Sequence, residues 1–155
     1  MRNSFPRTWP VLALAGALLA GSAAAQPVTP ELTPRLRNLL QQEMQAVLDA
    51  SQSILEAIVS GDHDTVARKA EQVHASFILK QSLTKADKKD LKRAVPKRFI
   101  RLDQAFHARS KRLAEAARAE DTEREMAIFQ RLLDGCVGCH RDYVTDRFPG
   151  LGGES

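Results

Sequence analysis

The sequence predicts an all-α protein: an antiparallel up-down-up-down four-helix bundle. Three observations lead there. Apolar residues recur at three- and four-residue steps through four separate stretches. Capping residues, glycine or proline punctuate those stretches. No segment alternates apolar and polar residues with the period of a strand.

The chain opens on a segment that does not belong to the bundle. Arg2 and Arg7 precede the apolar run Val11 to Ala20, and Ala23-Ala24-Ala25 follows as a small-residue cleavage pattern. Residues 1–25 therefore read as a secretory signal peptide, too short to span a bilayer. Residues 26–155 are expected to form one domain with a modest core.

Gln26 to Pro30 reads as a polar, Pro-rich leader. Thr33 and Pro34 open the first helix as N-cap and first-turn proline. Its stripe runs Leu36, Leu39, Leu40, Met44, Val47, Leu48, Ser51, Ile54, Leu55, Ile58 and Val59. Gly61 ends it, and Asp62 caps a second helix that carries Val66, Ala70, Val73, Phe77 and Ile78. The charged stretch 81–93 reads as a solvated connection with at most one helical turn, started by Thr84. Pro96 begins the third helix, whose stripe is Phe99, Leu102, Phe106, Ser110, Leu113 and Ala117. Asp121-Thr122 with Glu125 reads as a capping box for the fourth. That helix buries Phe129, Leu132, Leu133, Cys136, His140 and Tyr143. The tail from Phe148 to Gly153 is rich in Gly and Pro.

Charge excludes one class of partner. Removal of residues 1–25 deletes two arginines and leaves 21 basic against 19 acidic side chains, or +2. No basic run is interleaved with aromatics, so nucleic acid is not expected. No Ser-His-Asp constellation, paired-carboxylate site or phosphate loop is present, so the protein is not expected to be an enzyme.

Cys136-Val137-Gly138-Cys139-His140 carries the chemistry. The pattern C-x-x-C-H is the attachment site of a c-type haem. Its two thiols add across the haem vinyl groups, and the histidine becomes the proximal iron ligand. A structural zinc site usually needs four ligands, and this chain has two cysteines in all. A thioredoxin-type dithiol needs a βαβ context that is missing. A disulfide between Cys136 and Cys139 would staple almost nothing. One covalently attached haem c is the expected cofactor, and it would supply flat apolar core to a chain with only 5% aromatic residues.

A haem motif at the end of the last helix of a four-helix bundle resembles the class II c-type cytochromes, the cytochrome c′ and cytochrome c-556 group. The resemblance covers essentially all of residues 26–155. It rests on Met44, the Gly61-Asp62 break, and Gly135 to Tyr143, with Tyr143 at the aromatic position three after the histidine. Val144 departs from the basic residue that many relatives carry there. The resemblance implies an exported periplasmic carrier of single electrons that meets redox partner proteins. It implies no stable membrane insertion after processing, and it allows a homodimer through the first two helices.

The sixth iron position divides the group. In c-556-like members the resemblance implies a methionine from the first helix, in c′-like members an open site capped by an apolar residue. Within residues 26–155 only Met44 and Met126 remain. Met126 lies 14 residues before His140, about 21 Å along the same helix, which is too far to ligate. Met44 is therefore the expected distal ligand, with core packing as its alternative. Thioether ligation opposite histidine suits electron transfer. The second reading is a five-coordinate haem that binds nitric oxide or carbon monoxide. His74, at the edge of an apolar face, is the rival ligand; His107 is a weaker one, and His63 reads as a surface residue. Arg141 and Arg147 flank the motif as solvated residues or as partners for haem propionates.

Overall fold

A computed structural model describes residues 26–76 and 78–152. The expected signal peptide, residues 1–25, and Phe77 lie outside the described residues. Among these residues all regular structure is helical, as the apolar periodicity predicts.

Helix α1 (Pro34–Ser60) starts where local chemistry says it should. The Thr33 hydroxyl accepts from Leu36 N at 3.3 Å, and Pro34 occupies the first turn. Gly61 ends the helix in the left-handed conformation, φ 73°, which glycine adopts without steric cost. Asp62 then caps α2 (His63–Ala75) by accepting from Thr65 N at 3.0 Å.

Helix α2 stops short of the expected Ile78. Its last residue is Ala75, and Ser76 turns the chain at φ 63°, ψ 136°, a strained conformation for a residue with a Cβ. A short helix α3 (Leu79–Ser82) follows. The charged stretch is not the solvated connection expected. It forms α4 (Lys85–Ala94), opened by a capping box between Thr84 and Asp87. Asp87 also takes the Arg35 guanidinium at 3.1 Å, which ties α4 to α1.

Helix α5 (Lys97–Arg118) begins after Pro96, and α6 (Thr122–Tyr143) after Asp121. The box expected at this cap does not form. Asp121 accepts from Arg124 N at 3.0 Å, while Glu125 turns inward, is 1% exposed, and meets His63 Nδ1 at 2.7 Å. His63 is correspondingly not a surface residue; it pins the start of α2 to the start of α6.

The long helices pack in sequence order: α1 on α2, α2 on α5, α5 on α6. Contact between α1 and α6 is sparse by comparison. Two apolar clusters result. One joins Ile54 and Ile58 of α1 with Val66 and Ala70 of α2, Leu113 and Ala117 of α5, and Phe129 and Leu132 of α6. The other lies at the opposite end. There Leu36, Val95 and Tyr143 gather with Leu40, Leu91, Phe99 and Cys139. Complete burial of Leu36 and Leu113 stabilises by about 1.5–3 kcal/mol each before entropy is charged against it.

Two departures concern the N-terminal leader. The leader is not merely polar: Val28 and Leu32 are buried in the second cluster. Gln26 N and Val28 N donate to the carbonyls of Asp142 and Tyr143, each at 2.9 Å. These are carbonyls that the end of a helix leaves without an intrahelical donor.

Candidate haem-attachment site

Cys136, Cys139 and His140 sit on the last two turns of α6. Both cysteines are free thiols and half-buried. Cys139 packs into the second apolar cluster beside Tyr143. Tyr143 is buried and holds the edge of its ring against Phe99, with centroids 5.4 Å apart at 73°. The aromatic three residues after His140 therefore anchors the end of α6 to α5. Gly135 also faces α5, with room to spare: a Cβ there would make ordinary contacts, 3.4 Å from the Arg109 guanidinium and 3.7 Å from the Phe106 ring.

The His140 ring stacks on Phe148, with centroids 4.6 Å apart and planes 9° from parallel. Phe148 was read only as part of the tail. Its contact depends on the turn after Val144, where Arg147 N and Phe148 N both bond back to the Val144 carbonyl at 3.0 Å. No local pattern in the sequence announces that reversal.

Burial, and then the nearby Arg147 charge, push the His140 imidazole below its ordinary pKa. The shift favours the uncharged imidazole, whose lone pair can bind a metal. Burial pushes both thiols up, Cys139 to about 11 with help from Asp103 and Asp142. Both stay protonated near neutrality, which slows their oxidation. Arg141 lies 3.7 Å from Asp142, and Asp142 also pairs with Arg98 at 3.1 Å.

This donor set suits a c-type haem. Two thiols three residues apart and an imidazole share two turns of one helix, with an apolar cluster beside them. Leu133 and Val137, which step toward His140 along α6, are exposed apolar side chains. So are Met44 and Leu48, which continue along α1 from Leu40. No family model, curated protein or solved structure matches the chain.

Met44 does not lie on the buried stripe of α1 as expected. It is 41% exposed, and its neighbour Glu43 takes the stripe position at 0%. The stripe runs Leu36, Leu39, Glu43, Val47, Ala50, Ile54, Ala57, and Met44 lies on its flank. Glu43 accepts from Ser76 Oγ at 2.7 Å, Ile78 N at 2.5 Å and Leu79 N at 3.1 Å. A carboxylate is tolerated there because donors replace its water.

His74 is directed onto α5. Its Nδ1 donates to the His107 carbonyl at 3.0 Å, while His107 Nδ1 donates to the Val73 carbonyl at 2.6 Å. Asp103, 3.5 Å from His107 Nε2, raises the His107 pKa against the effect of burial; Val73 and Glu43 add to it. The two histidines line a cleft of about 350 Å³ with Ser76, Lys80 and Asp103. Both histidines thus clamp α2 to α5. Among the described residues, no three His, Cys, Asp or Glu side chains come together as a metal cage.

Proposed function

We propose that the protein is a periplasmic monohaem c-type cytochrome that carries single electrons. In this reading residues 26–155 form an up-down-up-down four-helix bundle, exported by a leader of residues 1–25. Cys136 and Cys139 hold one haem c through thioethers, His140 is the proximal ligand, and Met44 is the distal one. The observation that carries the reading is the placement of both thiols and the His140 imidazole on two turns of α6, beside an apolar cluster.

The haem, when bound, supplies the one-electron couple. The chain's residues do the rest. The cluster around Leu36, Leu40, Phe99 and Tyr143 excludes water from one side of the motif. His140 keeps its lone pair because burial and Arg147 disfavour its protonated form. Arg141 and Arg147 are exposed cations that can neutralise carboxylates at the macrocycle's rim.

A second reading is favoured by a specific observation. Leu40, not Met44, shares the cluster with Cys139. Met44 stands one turn further along α1, about 6 Å away, and is partly exposed. An apolar residue over the sixth position fits a five-coordinate haem that binds nitric oxide or carbon monoxide.

Optical spectra of the oxidised and reduced holoprotein, with and without carbon monoxide, separate the two. A low-spin wild type that ignores carbon monoxide, paired with a high-spin Met44→Ala variant, establishes methionine ligation and supports electron transfer. A high-spin wild type that takes up carbon monoxide sinks that assignment in favour of gas binding. A low-spin spectrum unchanged in the variant points to His74. A purified protein without haem sinks both readings.

A further inference from the structure

Charge is distributed very unevenly along this chain. Residues 80–101 hold nine basic side chains against two acidic ones, a local +7. The rest of residues 26–155 holds 12 basic against 17 acidic, or −5. Six of the chain's eight lysines fall between Lys80 and Lys97, so the asymmetry is concentrated on α4 and its flanks.

The fold turns this run into a face. At 100° per residue, Lys85, Lys88, Lys89, Lys92 and Arg93 occupy an arc of roughly 140° on α4. All five are exposed. Asp87, Leu91 and Ala94 fall on the opposite side, turned toward the protein. Asp87 is consumed by the Thr84 cap and Arg35. Asp90 pairs with Arg93. Among the described residues, Lys85, Lys88, Lys89, Lys92 and Lys97 are in no ion pair, and Arg98 next in sequence is exposed as well.

The face also has a definite address. Leu83, Leu91, Ala94 and Val95 belong to the apolar cluster that contains Cys139 and Tyr143. The basic arc is therefore the outer surface of an element whose inner side joins the same apolar cluster as the C-terminal end of α6. We propose that α4 and the start of α5 form the docking surface for an acidic patch on a redox partner protein, which this arc steers toward the haem-bearing end. The proposal rests on the haem reading above. An anionic membrane is the less suited target, because the apolar side of α4 is spent on the core and is not offered to lipid.

The test uses the reduced haem-loaded protein in rapid mixing with hexacyanoferrate(III). One electron leaves ferrous haem and gives hexacyanoferrate(II). Tris(phenanthroline)cobalt(III) serves as the cationic counterpart. Between low salt and about 0.5 M salt, the rate with the anion falls about ten-fold or more, while the rate with the cation does not fall. The quadruple variant Lys85→Glu/Lys88→Glu/Lys89→Glu/Lys92→Glu lowers the low-salt anion rate about ten-fold and removes its salt dependence. Lys111→Glu/Arg112→Glu, on exposed positions far along α5, changes it less than about two-fold. The Lys→Gln quadruple variant gives an intermediate loss, and far-ultraviolet circular dichroism checks that each variant is folded.

A labelled polyglutamate peptide is the second probe. It binds the wild type and not the Glu variant, while vesicles containing phosphatidylserine bind neither. A salt-independent anion rate, or one unchanged in the Glu variant, overturns the docking surface. Capture by vesicles rather than by the peptide overturns the protein partner in favour of a membrane. A haem-free product sinks the cytochrome reading and is seen in the absorption spectrum alone. The peptide then still decides whether the arc receives an acidic surface.

Discussion

Glu43→Ala is the perturbation that most sharply tests how α1 is held. The side chain is fully buried, and its two oxygens accept from Ser76 Oγ, Ile78 N and Leu79 N. Hydrogen bonds to a charged group contribute about 1.5–3 kcal/mol each, and a buried donor left without its partner costs about 1–3 kcal/mol. The three do not simply add. The amides of Ile78 and Leu79 are part-buried, and water can reach them once the carboxylate is gone. A loss of about 3–5 kcal/mol is expected, in line with the breaking of other buried charged networks.

That is a large share of the about 5–15 kcal/mol that holds a domain together. With unfolding entropy of about 2.1 cal/mol/K per residue over residues 26–155, each kcal/mol moves Tm by about 4 °C. Glu43→Ala should lower Tm by roughly 11–18 °C, read by circular dichroism of the purified protein. Glu43→Gln keeps one acceptor oxygen and should lose less. The loss should also be local first: limited proteolysis near residues 76–82 should speed up before global unfolding does. A drop below about 1 kcal/mol for Glu43→Ala would refute the argument that this carboxylate fastens the turn after α2.

Four further outcomes follow, three from the geometry and the last from the proposed function. The pKa of His107 is raised above its ordinary 6.5 by Asp103 first, so its charged form stabilises the fold. That contribution is complete below the ordinary value and is lost as pH rises through the folded one. The stability gap between wild type and His107→Gln, measured in urea, should therefore be widest in mild acid and shrink toward alkaline pH; a gap that widens with pH contradicts the pairing. Gly61→Ala should cost about 1–2 kcal/mol, because φ 73° is strained for alanine although nothing lies within 4 Å of the added Cβ. Gly135→Ala, in an ordinary helical conformation, should be neutral or stabilise by up to about 1 kcal/mol in the same melts. Cys136→Ala/Cys139→Ala should abolish haem that survives denaturing electrophoresis; haem retained covalently in the double variant would refute thioether attachment.

Much of the fold was legible because its signals are local. Thr33 and Pro34, Gly61 and Asp62, and Pro96 each mark a helix end by the conformation their own side chains favour. The same holds for the motif, whose spacing alone puts two thiols and an imidazole on adjacent turns. What stayed hidden depends on partners far away in sequence. Leu39, Leu40, Glu43 and Met44 offer α1 two candidate faces, and only contact with Ser76 and the next turn selects Glu43 for the inside. The end of α2 is set by that same contact. His63 reads as a surface residue until Glu125, 62 positions later, is seen to turn inward. Helix α4 looked like a linker because charge dominates its composition. Its signal was the Thr84-Asp87 box, backed by too few apolar residues to suggest that Leu91 and Ala94 reach a core.

The tie between Gln26 and the end of α6 has a practical side. The segment that finishes the carbonyl ladder of α6 is the one that follows the expected leader. Anything left fused ahead of Gln26, whether an uncut export sequence or a purification tag, emerges within a few residues of His140 and Phe148. If α6 carries a haem as proposed, such a segment would crowd the turn where the group has to be attached. Fusions are better carried at the far hairpins, around Gly61 or Glu120, where added chain leaves the end of α6 open.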